Sequence, residues 1–355
     1  MILYACISGH GYGHGSRVAA VLSALHARRP DWRLVLSTPL PEPFLAAAFG
    51  PVPVERRVCR WEVGVIQADA LGADGPATLA ALADLERSLP AQIAAEAAWL
   101  RQQGEPVLVL ADVGPAAADL AAAVGAPLVW MGNFGWDAIY GPMGGAFAAW
   151  AERCTALYRR GTAVIRCPFA MAMPWGLPEH PVGLTAGQPR GDREALRRQL
   201  DLPSEREAVV LVGFGGLGFP LEAALFARWP EHRFLVADPQ LAGQAANAVA
   251  LPPGLRPLDL LPLCGRLLTK PGYSSFCEAL TQGVGLHLVR REGFAEAQVL
   301  SDALERHGAH RLLSREQLLA GDWQLDQPLI PPSDGPLAAG GEGEAADVLI
   351  AYAPE

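Results

Sequence analysis

Short runs of Val and Leu punctuate the chain: VLVLAD at 107–112, APLVWMG at 126–132, AVVLVG at 208–213 and RFLVAD at 233–238. Runs without in-and-out alternation suit strands buried on both faces, and the helix-forming stretches between them suit crossover helices. The pattern predicts an α/β protein with parallel sheets.

In chain order, the first half reads as strands at 2–8, 32–38, 107–111, 127–131 and 163–165. Helices are expected from the glycine loop to about Arg29, at 44–49, up to about Leu100 and at 144–159. Residues 59–76 read as a long loop holding Gln67, Asp69 and Asp74, of the sort that borders sites. Residues 167–190 are rich in Pro and Gly and are read as a linker. The second half gives a helix at 192–200, strands at 208–212, 255–258, 267–269 and 285–289, a helix at 275–280 and another ending near Arg306. The division is therefore an N-terminal domain at 1–168, a linker at 169–190, a C-terminal domain at 191–330, and a Gly/Pro-rich segment with a closing helix at 331–355.

With 355 residues, two domains of ordinary size are more natural than one core. A net charge of −9 without a dense basic run argues against a nucleic-acid groove. No stretch approaches the ~20 apolar residues of a spanning helix, so a cytoplasmic protein is expected, with peripheral membrane contact left open. Six scattered cysteines without a C-x-x-C pair read as reduced core residues.

The stretch LLTKPGYSSFCEAL at 267–280 reads as strand, tight loop and helix start, where unpaired N–H groups and the helix dipole suit a phosphate. Glu278, one turn in, would accept the hydroxyls of a ribose. The same pattern also describes an ordinary capped helix start. In GHGYGHGS at 9–16 the glycines miss the dinucleotide fingerprint and two histidines stand in the loop. His14, beside the helix start, is the candidate general base. Asp112 ends a strand where open α/β sheets place ligands, and reads either as the acid that orients His14 or as a helix cap. NFGWDAIYGP at 133–142 crowds aromatic and polar groups as sugar pockets and domain packing both do. GFGGLG at 213–218 does match G-x-G-x-x-G, with Asp238 following, which founds a competing reading as an NAD(P)-dependent oxidoreductase.

Taken together, GHGYGHGSR, NFGWDAIY, and GYSSFCEAL through VRREGFAEA carry a likeness over residues 1 to about 310. The chain resembles GT-B glycosyltransferases of the MurG-like group, and most of all the glycosyltransferase-like N-terminal domain of plant L-arabinokinases. The resemblance implies two Rossmann-like parallel-sheet domains facing a central cleft, with a nucleotide-sugar donor, UDP-linked, on the second and a small-molecule, glycan or lipid acceptor on the first. It implies His14 as base and Asp112 as its support. Donor binding falls to Gly215, Gly216, Lys270, Gly272, Tyr273, Ser274, Ser275, Glu278, Arg290, Glu296 and Gln298. Acceptor-side candidates are His10, Gly13, Gln67, Asp69, Asn133, Trp136 and Asp137. Without an Asp-x-Asp pair, the expected chemistry is metal-independent and inverting, with no cofactor beyond the substrate itself. A sugar-nucleotide-binding protein or an epimerase of the same fold is the further alternative.

Overall fold

Every residue of β1 (Ile2–Ile7) is buried, because the strand lies between β2 (Arg33–Ser37) and β4 (Val107–Asp112) and helices cover both its faces. The computed structural model describes residues 1–66, 74–215, 219–291 and 294–354. By its contacts the chain forms two compact units.

The first unit comprises 1–185, the short stretch 293–296 and 338–355. Its sheet is completed by β3 (Glu55–Arg57), β5 (Leu128–Gly132), β6 (Ala163–Arg166) and β7 (Glu179–Pro181), all parallel, in the order β3-β2-β1-β4-β5-β6-β7. Its helices are α1 (Tyr12–Arg28), α2 (Glu42–Phe49), α3 (Gly75–Gln103), α4 (Ala117–Val124), α5 (Trp136–Met143) and α6 (Phe147–Tyr158). Asp74, read above as a loop acid, caps α3 by accepting from the Ala77 N–H at 2.9 Å.

The second unit, 186–292 and 297–337, contains α7 (Arg193–Gln199), β8 (Val209–Gly213), α8 (Ala223–Phe226), β9 (Arg233–Val236), α9 (Pro239–Gln244), β10 (Ala248–Ala250) and α10 (Pro257–Leu260). It continues through β11 (Arg266–Thr269), α11 (Tyr273–Thr281), β12 (Gly285–Val289), most of α12 (Ala295–His307), β13 (His310–Leu313) and α13 (Arg315–Ala320). Its parallel sheet runs β10-β9-β8-β11-β12-β13. Phe226, Phe234 and Trp323 pack edge to face within its core. In both sheets the first strand has the next one on one side and a later one on the other. A crevice therefore opens beyond the carboxyl ends of β1 and β4, and another beyond those of β8 and β11.

Several expectations are corrected. The glycine loop is largely helical: α1 starts at Tyr12, so His14 lies in its first turn, while His10 stays outside. The loop at 133–142 contains α5. The strand expected at 255–258 is helix α10, because Pro257 stands at its first position and Asp259 accepts from the Arg256 N–H at 2.9 Å. The segment read as a linker is built into the first unit up to Thr185, since β7 pairs with β6.

The closing helix α14 (Gly341–Ala351) also belongs to the first unit and packs on α1. Backbone bonds lead into it: the Leu184 N–H donates to Ala338 at 2.7 Å, and the Gly341 N–H donates to Leu184 at 3.1 Å. Gly341 lies so close to Gly183 that a Cβ there would overlap its carbonyl oxygen and stand 2.5 Å from the carbonyl carbon. Both neighbours are backbone and cannot turn aside, so Gly341→Ala is expected to cost about 1–3 kcal/mol. Chemical denaturation measures this, and an unchanged midpoint would show that α14 shifts freely.

Candidate active site

The site in the first unit is assembled from the ends of β1, β4 and β5. His14 sits in the first turn of α1 at 12 % exposure, and its Nδ1 lies 2.8 Å from Oδ1 of the wholly buried Asp112, the last residue of β4. A carboxylate only accepts, so Nδ1 carries the proton and Nε2 is left as the basic nitrogen. Three residues further along α1, on the same helix face, Arg17 donates to both Asp112 oxygens, from Nε at 3.0 Å and Nη2 at 2.7 Å. Its Nη1 donates to Oδ1 of Asn133 at 2.8 Å, and Nδ2 of Asn133 donates to Glu296 at 2.7 Å. Burial by itself would raise the Asp112 carboxyl, but the charges of Arg17 and His14 outweigh it and hold it below the ordinary range.

Val113, directly after Asp112, has φ of 51°, a left-handed conformation costly for a β-branched residue. The Tyr158 hydroxyl helps to hold it by donating to the Val113 carbonyl at 2.7 Å. The turn after β1 is fixed by buried Glu62, whose Oε1 accepts from the Ser8 hydroxyl at 2.8 Å and the Gly9 N–H at 3.0 Å. Burial pushes the Glu62 carboxyl up, against the Ser8 bond, the His14 charge and the Gly9 bond. His10 meets Trp136 edge to face at 5.2 Å and stacks on Phe294 at 6.1 Å.

Of the acceptor-side candidates, His10, Gly13 and Asn133 are gathered around His14, and Trp136 is fully buried beneath His10. Asp137 turns inward instead, accepting from Trp175 Nε1 at 2.8 Å and the Thr155 hydroxyl at 3.1 Å, so it serves the packing of α5. Gln67 and Asp69 lie outside the described residues, as does Gly216. Sequence reasoning gave no role to Arg17, Glu62 or Val113. Only Arg17 left a trace, as a charge three residues after His14 on a helix that is otherwise apolar on that face.

In the second unit the ends of β8 and β11 converge. The Thr269 hydroxyl donates to the Gly213 carbonyl at 2.6 Å, and a Cβ on Gly215 (φ 76°) would stand 3.6 Å from Cε of Lys270. Gly272 is the N-cap of α11, which places Tyr273, Ser274 and Ser275 in the first turn. Lys270 is pushed down to about 8 by burial and then by Arg291. Glu278, partly buried, is pushed up to about 7 by removal from water, with Arg256 opposing and Asp259 reinforcing. Arg290 is exposed at the end of β12, and Gln298 is exposed and donates to Asp302 at 2.6 Å. Glu296 falls not with these groups but with Asn133 in the first unit. Asp238, on which the oxidoreductase reading rests, caps α9 by accepting from the Gln240 N–H at 2.8 Å. All six cysteines are buried, and the described residues hold no cluster suited to a metal ion and no helix long and apolar enough to cross a membrane.

Two parallel sheets in this order, with helices on both faces, form the GT-B architecture of the UDP-glycosyltransferases. The likeness extends over nearly the whole chain. UGT71G1 of Medicago truncatula complexed with UDP-glucose matches with a TM-score of 0.64 at 13% identity, covering 99% of this chain and 98% of that one. UGT2 of Phytolacca americana, complexed with UDP-2fluoro-glucose and pterostilbene, gives 0.63 at 15%, covering 99% and 93%. UGT89C1 of Arabidopsis thaliana with UDP-L-rhamnose gives 0.63 at 14%, covering 99% and 98%. In sequence the chain is 28% identical over 339 residues to an L-arabinokinase of Arabidopsis thaliana, covering 89% of this chain and 31% of that protein. The chain thus spans about a third of the length of that relative. No family model matches.

Proposed function

We propose that the chain is a glycosyltransferase moving a sugar from a UDP-type donor, held by the second unit, to an acceptor hydroxyl deprotonated by His14. The observation that carries this reading is the 2.8 Å bond from His14 Nδ1 to buried Asp112, which leaves Nε2 basic at the mouth of the first crevice. The fold shared with UDP-sugar complexes supports the donor class. Direct attack of the acceptor oxygen on the anomeric carbon would break the bond to the diphosphate and invert the centre. The start of α11 and Lys270 would take up the negative charge of the departing group. Glu278 would accept the ribose hydroxyls. The reading calls for no metal, and it requires the donor on one unit to reach His14 of the other.

Donor binding has a sign for each limb of its pH profile. Glu278 accepts hydroxyls only as a carboxylate, so affinity for UDP falls as pH drops through about 7. Lys270 attracts the diphosphate only as a cation, so affinity also falls as pH rises through about 8. Calorimetric titration with UDP is expected to give a bell, with Glu278→Gln flattening the acid limb and Lys270→Met the alkaline one. A profile that is flat in the parent protein would remove both residues from the donor site. Transfer itself is tested by incubating a panel of UDP-sugars with hydroxylated acceptors and following UDP release. Release that requires an acceptor supports the reading, whereas binding without release makes the chain a sugar-nucleotide-binding protein.

A further inference from the structure

One buried carboxylate of the first unit has no part in the mechanism above. Glu296 is 9% exposed and stands in the first turn of α12, where the helix start favours its ionised form. The family likeness gives it to the donor, yet Phe294 and Glu296 both belong to the first unit. Two contacts of different kinds seat them there. Phe294 stacks on His10 with ring centres 6.1 Å apart, and Glu296 Oε1 accepts from Asn133 Nδ2 at 2.7 Å.

A carboxylate only accepts, so the wholly buried Asn133 amide turns its NH2 to Glu296 and its oxygen to Arg17, whose Nη1 donates to it at 2.8 Å. The Glu296 charge polarises the amide and strengthens the bond at its oxygen. One end of the guanidinium is thereby tied down while Nε and Nη2 fork onto Asp112. The tie matters because two donors crowd one carboxylate oxygen: Arg17 Nη2 at 2.7 Å and His14 Nδ1 at 2.8 Å both reach Oδ1, and they stand 3.4 Å apart. A small pivot of Arg17 would aim Nη2 at Nδ1 itself. The neutral imidazole would then carry its proton on Nε2, and the nitrogen at the crevice would no longer be basic. We propose that Glu296 is a positioning residue for the His14 base: it holds Asn133 and through it Arg17, and so keeps the proton on Nδ1. This rests on the reading of His14 as the base and adds a residue to it.

Imidazole 15N NMR on the full chain, with calorimetric titration of UDP and UDP-glucose, tests the assignment. The parent protein is expected to show neutral His14 protonated on Nδ1. In Glu296→Leu a large share of molecules is expected to carry the proton on Nε2 instead. Transfer at saturating UDP-sugar then falls about tenfold, the worth of one buried hydrogen bond, while both affinities stay within about twofold. Glu296→Gln keeps an oxygen for Asn133 and is expected to restore the parent tautomer and most of the rate. Asn133→Leu breaks the same chain one link closer to His14, and joining it to Glu296→Leu is expected to add nothing. An Nδ1 tautomer unchanged in Glu296→Leu would overturn the proposal. So would a loss of affinity for UDP-glucose with that for UDP kept, which would put Glu296 on the donor sugar. Should Glu296→Leu fail to fold, the tautomer in Asn133→Leu and the UDP-glucose affinity of Glu296→Gln decide in the same way. The tautomer is read without turnover, so a parent protein that transfers no sugar defeats the transferase reading while this one stands.

Discussion

His14→Ala is expected to lower the rate of sugar transfer by about 10²–10⁴-fold while leaving the affinity for UDP unchanged. The first half of that expectation follows from the loss of the imidazole whose tautomer Asp112 fixes through Nδ1, which removes the basic Nε2 from the crevice. The second follows from the separation of roles, since the groups assigned to UDP lie at the ends of β8 and β11 in the other unit. Single-turnover transfer and calorimetry on the same preparation separate the two quantities. A variant that retains transfer within a few fold would show that another group, or solvent, takes the proton. A variant that loses UDP binding as well would place His14 in the donor site.

Arg17→Met is expected to destabilise the protein by about 3–5 kcal/mol, because it leaves the wholly buried Asp112 carboxylate without its cation. The two are paired by a fork of bonds at 2.7 and 3.0 Å, and both side chains are almost inaccessible, so solvent screens little of the loss. The double variant Arg17→Met/Asp112→Leu removes the charge as well as its partner and is expected to recover most of the stability while remaining inactive. The pH dependence has a definite sign. The Asp112 carboxyl is held below its ordinary range in the folded state, so the contribution of the pair is present at neutral pH. It is lost as pH falls through the lowered value. Urea denaturation at several pH values checks this. A single variant as stable as the parent would mean that Asp112 becomes neutral or solvated at little cost.

Much of this arrangement was legible in the sequence because strands buried on both faces have no polar alternation to blur them. The run VLVLAD ends on its acid, and the structure puts Asp112 at the strand end beside His14. Capping chemistry was harder to read. The stretch at 255–258 has the apolar content of a strand, yet Pro257 and the Asp259 cap make it helical. Glycines at 11 and 13 suggested an open loop, whereas Gly11 is the extended N-cap of α1 and Gly13 lies within it, where packing on α2 and α14 outweighs its weak helix propensity. Long-range partners left almost no mark. Glu62 reaches Ser8 across 54 residues, Glu296 reaches Asn133 across 163, and nothing in the local pattern around either predicts the contact. Gly341, which lets α14 approach Gly183, is likewise indistinguishable in the sequence from its neighbours in a glycine-rich stretch.

The return of α14 to α1 makes the second unit an insertion within the first. During synthesis the earlier-made unit must therefore wait, with the α1 face it owes to α14 uncovered, until the residues after Ala338 have left the ribosome. A protease cutting once between Thr185 and Arg193 would leave two pieces held together without a covalent link, by the packing of α14, at the end of the second piece, on α1 of the first. The first unit, although translated first, is in this sense the last to be finished.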